Sequence, residues 1–271
     1  PKAGGPLYLE RLVKDNLSVD CAALDEAKKA RLLAETTSSA VAYSMPAATV
    51  AQQKWSQLPT TARTSVLRQF LASLASNQVV SRQEPDLEQV LMVARAKLQR
   101  VELELNRPIN LPGPTGESNV LVLDPRGILA LLRDNSSNFS HWLLSIITAL
   151  AAGNAVITAV EDAELPEAEA CIKALLAAGM PQHLLAVVRL DCLTTLLAHP
   201  ELNGAIIEVS SALKPLAAEL IAAREGAILP LITSPADERM LHRLVTEKTI
   251  TINTTAAGGN ASLMTMADNV G

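Results

Sequence analysis

The chain has 271 residues, 49% of them hydrophobic, and a formal net charge of -5. That length and apolar content supply a core without disulfide staples, and the acidic balance excludes a nucleic-acid surface, which needs a basic stripe. With aromatic residues at only 2%, the core must be aliphatic: Leu, Ala, Val and Ile.

The chain opens on Pro1–Lys2–Ala3–Gly4–Gly5–Pro6. This run has no strand before it and no Ser or Thr after it, so it is not a phosphate loop. Leu9 to Asp20 reads as a helix end passing into a short alternating strand. Residues 22–45 are Ala-rich and predict a helix, which Pro46 interrupts. Residues 60–76 predict an amphipathic helix with Val66, Leu67, Phe70, Leu71 and Leu74 on one face. A longer helix is expected over about 85–105. Leu87, Val90, Leu91, Ala94, Leu98, Val101 and Leu105 recur there at i, i+3 or i+4.

Pro108 to Gly116 reads as a Pro/Gly linker, after which the rhythm changes. Strand-like runs fall at 119–123, 127–132, 154–160, 184–188, 204–209 and 227–232. Helical runs alternate with them at about 139–152, 165–178, 192–198 and 212–224. Strand–helix alternation with near-continuous apolar strands predicts an α/β fold: a Rossmann-like parallel sheet covered by helices on both faces. Pro166 and Glu167 suit a helix first turn. Gly179 followed by Pro181 suits a helix stop, and Asp191 a helix N-cap. Trp142 to Val160 carries no charge and is long enough to mimic a membrane span. Gly153–Asn154 divides it, and a helix followed by a buried strand explains it better.

The tail from Met240 reads as a helix end, a strand at Thr249–Thr255, a turn at Gly258–Gly259 and a return. Alternating Ile with Thr or Asn suits a strand with one buried face, and the glycine pair supplies the turn. An exposed ribbon at a chain end has an open edge that invites pairing. The tail also matches the start of the chain. Leu9-x-Arg11-Leu12-Val13 corresponds to Leu241-x-Arg243-Leu244-Val245, each followed by a short alternating strand. Such a repeat points to duplication of a domain that ends in this ribbon.

Candidate chemical groups are sparse. Cys21, Cys171 and Cys192 are widely spaced; they suit a reducing cytosol and buried positions rather than a metal cluster. His141, His183, His199 and His242 are dispersed, without metal spacing. Glu161, Asp162, Glu164, Glu167 and Glu169 read as a solvated helix start.

Pro1 to Leu9 resembles the end of the semialdehyde dehydrogenase domain in the proline utilization A family, the bifunctional proline-catabolic enzymes. Asn253 to Met264 resembles the motif that closes long members of that family. About residues 28 to 235 also resemble the cofactor-binding half of the aldehyde dehydrogenase superfamily. Ala51–Pro59 with Arg63 and Leu67–Arg68 is similar to its N-terminal helices, Pro125–Arg126–Gly127 to its first strand entry, Ala149–Ile157 to its helix-to-strand junction and Ala227–Ile232 to the strand before its catalytic domain.

The resemblance also implies what the chain lacks. An aldehyde dehydrogenase needs a Cys nucleophile, a carboxylate base, an Asn at the oxyanion and a dinucleotide surface. The nucleophile's domain would follow residue 235, where the tail helix follows instead. Ser234 stands at the base's place. Ser136 stands at the oxyanion Asn's place, and Asn138–Phe139 fits only after a two-residue shift. Ala159 replaces the Lys that meets the adenosine ribose, and Glu208–Val209–Ser210–Ser211 replaces the Gly-Ser turn beside the phosphates. Acidic and β-branched side chains there oppose phosphate binding.

The resemblance thus implies three parts. Residues 1–24 are the tail of a preceding semialdehyde dehydrogenase domain. Residues 25–235 form a degenerate dinucleotide-fold domain with N-terminal helices. Residues 236–271 form a helix and a protruding β-flap. The expected role is a non-catalytic module of a cytoplasmic enzyme that uses FAD and NAD, with neither cofactor bound in this segment. Its flap residues Ile250, Ile252, Asn253, Thr254, Thr255, Ala256, Ala257, Gly258, Gly259 and Asn260 would dock on the upstream semialdehyde dehydrogenase domain and close its substrate-channelling cavity. Two rival readings are a domain that retains NAD affinity and a homo-oligomerisation module.

Overall fold

The computed structural model describes residues 44–75, 86–209, 213–232 and 240–253. Three helices come first: α1 (Met45–Ser56), α2 (Thr60–Leu74) and α3 (Leu87–Leu105). Pro46 does not interrupt a helix. It lies in the first turn of α1, where its missing N–H costs nothing, and Ser44 caps that end by accepting from the Ala47 amide. On α2 the expected face is buried: Leu67, Phe70, Leu71 and Leu74 are fully enclosed. The apolar stripe of α3 from Leu87 to Val101 is buried as well.

The parallel sheet has five strands: β3 (Ile128–Arg133), β4 (Ala155–Val160), β5 (Leu185–Arg189), β6 (Leu202–Glu208) and β7 (Leu231–Ile232). Their order is β5-β4-β3-β6-β7, all parallel. The order in which strands are added reverses between β3 and β6, the switch point at which doubly wound sheets bind ligands. Helices α4 (Phe139–Ala151) and α5 (Leu165–Ala177) cross over one face. A short 3-10 turn (Leu190–Cys192), α6 (Leu193–Ala198) and α7 (Leu213–Ala222) make the later crossovers. Right-handed connections put these later helices on the opposite face. Asp191 caps nothing; it lies inside the 3-10 turn and is held by Arg189 Nε at 3.2 Å.

Helix α4 is the centre of the molecule. It lies between the sheet and the α2–α3 layer, and its side chains from Trp142 to Ala151 are all buried. That placement explains the uncharged stretch ending at Val160: helix and strand are each enclosed on every side. Gly153 ends the helix with φ +97, and a Cβ there would stand 2.6 Å from Pro125 Cγ. The carbonyls at the end of α4 are taken by side chains from the first helices. Trp55 Nε1 donates to Leu150 O at 2.7 Å, Arg63 Nε to Ala151 O at 3.0 Å and Gln52 Nε2 to Gly153 O at 3.0 Å. Burial lowers the Arg63 pKa to about 10, which still leaves it charged against the negative helix end.

The 119–123 run does not join the parallel sheet. It forms β2 (Glu117–Pro125), the central strand of a separate three-stranded antiparallel sheet. The expected linker contains β1 (Ile109–Leu111), whose short pairing with β2 tolerates flanking Pro and Gly. After α8 (Met240–Arg243), β8 (Val245–Asn253) pairs with β2 along its whole length, from Val245 opposite Pro125 to Asn253 opposite Glu117. The tail strand therefore starts earlier than its Ile/Thr alternation suggests. It also has no buried face, because past Val245 every residue of β8 is exposed.

Candidate functional site

The first candidate is the C-terminal edge of the parallel sheet, at the switch point. Strand β3 ends there in Arg133 and β6 in Glu208, and α4 starts there at its N-cap Asn138. Arg133 is buried and turned inward. Its Nη1 donates to Glu167 Oε2 at 2.8 Å, and its guanidinium lies 5.6 Å from the Phe139 ring centre and 5.1 Å from that of Trp142. Glu167 is 2% exposed, so it is no part of a solvated acidic run. It sits in the first turn of α5 as expected, but faces the core because Arg133 reaches it from the adjoining strand. The pKa of Glu164, half-buried, is raised by burial against the attraction of Arg133, whereas Asp162 is an exposed partner of Arg189 at 2.9 Å.

Beside this pair, the β3–α4 turn is closed on itself. Asp134 Oδ1 accepts from Ser136 N at 3.1 Å, Ser136 Oγ at 2.6 Å and Ser137 Oγ at 3.0 Å. Ser137 Oγ also lies against the Glu208 carbonyl, so its single proton is shared between that oxygen and Asp134 Oδ1. Asn138 Oδ1 accepts from Ser140 N at 3.1 Å and Ser140 Oγ at 2.8 Å, so its carboxamide caps the helix. Glu208 is 8% exposed, with Ser145 Oγ at 3.2 Å as hydrogen-bond donor. Burial raises its pKa to about 7, against the lowering effects of Ser145 and Lys214. Val209 is also buried, and Ala159 is fully buried within β4, between Leu132 and Val188. Ser210, Ser211 and Ser234 lie outside the described residues.

Neither described thiol is activated toward the thiolate. Burial first, and then the Glu167 charge, push the buried Cys171 up to about 12. Cys192 is half-buried and also raised, by burial and by its contact with Asp191. Cys21 lies outside the described residues. The histidines are scattered as their spacing predicts. His242 Nε2 stands 3.1 Å from Glu104 Oε2, and His199 Nδ1 accepts from Glu201 N at 3.3 Å. Among the described residues no three His, Cys, Asp or Glu side chains gather to hold a metal ion.

The second candidate is the antiparallel flap. Ile250 lies opposite Val120 and Ile252 opposite Ser118. Strand alternation puts Ile250, Ile252, Val120 and Val122 on one face, and Ile109, Leu111 and Leu121 on the other. Ile250 is 42% exposed, Ile252 56% and Ile109 45%. Thr251 Oγ1 donates to Asn119 Oδ1 at 2.6 Å across the strands. Of the expected flap residues, the structure describes Ile250, Ile252 and Asn253; Thr254, Thr255, Ala256, Ala257, Gly258, Gly259 and Asn260 lie outside the described residues, as does the first ribbon at Leu9 to Asp20.

Sequence reasoning missed the Arg133–Glu167 pair. The available signal was a lone Arg closing an otherwise apolar strand, and an acid one residue past a helix-starting Pro.

Comparison with known proteins bears on both sites. The sequence profile described as "Aldehyde dehydrogenase family" matches residues 21–222. The bifunctional protein PutA of Salmonella typhimurium (strain LT2) is 32% identical over 270 residues, covering 98% of this chain and 17% of that protein. The bifunctional protein PutA of Escherichia coli (strain K12) is 29% identical over 270 residues, with the same shares. The chain thus spans about a sixth of the length of these relatives. Among solved structures, a mutant of Bradyrhizobium japonicum proline utilization A superposes with a TM-score of 0.61 and 25% identity, over 76% of this chain and 24% of the other. An NAD-dependent benzaldehyde dehydrogenase from Corynebacterium glutamicum shares the fold, with a TM-score of 0.57 and 15% identity over 74% of this chain and 46% of the other.

Proposed function

The chain belongs to the aldehyde dehydrogenase family, and from that premise we propose that it is the non-catalytic C-terminal module of a bifunctional proline-catabolic enzyme. In this reading its flap docks on a semialdehyde dehydrogenase domain of the same polypeptide. There it closes the cavity through which the reactive intermediate passes between active sites. The parent enzyme oxidises proline with FAD and the resulting semialdehyde with NAD in the cytoplasm. This segment holds neither cofactor. Similarity over 98% of the chain to a protein named as bifunctional supports the parentage.

The observation that carries the docking role is the flap itself. Among the described residues, the three-stranded sheet leaves Ile109 on one outer strand, and Ile250 and Ile252 on the other, exposed to solvent. Exposed apolar residues on an unpaired edge are what a partner surface covers. The described residues of the switch point, in contrast, do not favour a dinucleotide. Arg133 is folded inward on Glu167 and two aromatic rings, so it is not free for phosphate. Ala159 offers only a methyl where a ribose partner is needed, and the Asn138 carboxamide is engaged in its helix cap.

A lid of this kind excludes water and retains an intermediate without doing chemistry. Deletion of residues 248–271 from the bifunctional protein tests it. Proline oxidation measured with an artificial electron acceptor is expected to stay near normal. NADH formation from proline is expected to slow or to acquire a lag. An unchanged coupled rate without a lag overturns the reading.

A further inference from the structure

We propose that Asn154 is a positioning residue that sets the angle at which the flap leaves the parallel sheet, with Arg126 as a second grip. The flap leaves the body at two roots. One is Pro125–Arg126–Gly127, between β2 and β3; the other is Arg243–Leu244–Val245, between α8 and β8. Pro125 and Val245 face each other as the innermost pair of the flap ladder.

The fully buried Asn154 side chain is bonded to both roots. Its Oδ1 accepts from Gly127 N at 3.0 Å, and its Nδ2 donates to Leu244 O at 3.0 Å and to Ala149 O at 3.2 Å. One carboxamide therefore joins the end of α4 to both strand roots. From the other side Arg126 Nε donates to Arg243 O, the carbonyl one residue earlier. The Gly127 root is held rigidly against β6. Ile128 N donates to Asn203 Oδ1 at 2.9 Å, and a Cβ on Gly127, at φ +127, would stand 2.2 Å from that oxygen.

The bonds along the flap do not set its direction. The β2–β8 ladder, the Thr251–Asn119 bond and the Lys248–Asp124 contact all join flap to flap, so they travel with it. The burial of Leu244 and Val245 anchors the root but is non-directional. The directional bonds to Leu244 O and Arg243 O fix the angle. Asn is required rather than Asp, because two carbonyls need donors and one amide needs an acceptor.

The consequence for substrate transfer rests on the docking reading above, but the clamp is tested without a partner. Spin labels are placed at Glu247→Cys on the flap and Lys173→Cys on α5, in the full chain carrying Cys21→Ser, Cys171→Ala and Cys192→Ser. The distance distribution between the labels is then measured by pulsed electron resonance. Asn154→Asp keeps the bond from Gly127 and loses both donors. It is expected to widen the distribution about twofold or to shift it. Arg126→Gln, which leaves the core intact, is expected to widen it less and serves as the deciding variant if Asn154→Asp does not fold. A lowered melting temperature with an unchanged distribution in both variants means that Asn154 is only a stabilising core residue, and overturns the proposal. A widened distribution with normal coupling of proline to NADH in the bifunctional protein keeps the clamp and overturns the docking reading instead.

Discussion

At the scale of single residues, the switch point is occupied by ionisable groups that face inward. Glu208 is the clearest case, because burial raises its carboxyl from 4.5 to about 7. The folded state thus holds the proton more tightly than the unfolded chain. Stability linked to this group is fully present below about pH 4.5 and is lost as pH rises through 7. Glu208→Gln removes that loss. Urea melts are expected to find the variant equal to the parent at pH 4.5 and more stable at pH 8, by at most about 2 kcal/mol after allowance for solvent screening. Equal stability at both pH values contradicts the burial argument. The Arg133–Glu167 pair behaves differently. Glu167→Ala leaves a buried cation beside the Phe139 and Trp142 rings and the half-buried Glu164 carboxylate, without its hydrogen-bonded ion pair, and is expected to cost about 3–5 kcal/mol. Arg133→Met combined with Glu167→Leu is expected to recover most of that in the same melts, since well-packed apolar groups replace buried ion pairs without net loss. A double variant as unstable as Glu167→Ala means that the pair itself contributes strongly.

At the scale of elements, what was legible followed from local periodicity. The stripes of α2 and α3 could be read because Leu67, Phe70, Leu98 and Val101 repeat at helical spacing and all reach the core. The α4-to-β4 junction could be read because Gly153 and Asn154 punctuate an uncharged run. What was not legible depended on partners distant in sequence. Val120 to Leu123 looks like any apolar strand, and only its pairing with Glu247 to Ile250 takes it out of the parallel sheet. Glu167 looked solvated because its neighbours Glu164 and Glu169 are acids; Arg133, which buries it, comes from another strand. The family's chemical positions were legible as substitutions, and the structure adds where Ala159 and Asn138 are engaged. This bears on the edge of the sheet as a unit. Among the described residues of this edge, Arg133 is turned inward, Glu208 is buried and Asn138 is engaged in a helix cap, an arrangement that opposes pyrophosphate binding. Calorimetry of the chain with NAD is expected to give no binding tighter than about 50 μM, an affinity of roughly 6 kcal/mol. A tighter site revives the reading of a domain that retains its cofactor.

At the scale of the whole molecule, two surfaces have opposite fates. The parallel sheet is covered on both faces, and at its switch point the described side chains of Arg133 and Glu208 are buried. The antiparallel sheet is covered on neither face past Val245, and β8 forms its outer strand. A chain spanning 17% of its curated relatives is, in isolation, without most of what those relatives contain. Its apolar flap must then either stay in water or find another copy. Removing roughly 300 Å² of apolar area in total, counted over both partners, from water is worth about 7 kcal/mol at ~25 cal/mol per Å². Association entropy offsets much of that, which leaves a weak, concentration-dependent pairing rather than a tight dimer. Light scattering on the isolated chain is therefore expected to report a mean mass that climbs between micromolar and millimolar concentration. The paired substitution Ile250→Lys with Ile252→Lys adds charge to the exposed strand, the device by which natural sheets block edge pairing. It is expected to hold the chain monomeric while leaving the melting temperature within a few degrees, because neither isoleucine is buried. If the doubly charged variant associates as the parent does, the contact lies elsewhere and the flap is not the adhesive surface of this molecule. If it is monomeric, the same variant in the bifunctional protein is expected to reproduce the coupling defect of the flap deletion without removing any backbone, and so to assign that defect to the apolar face.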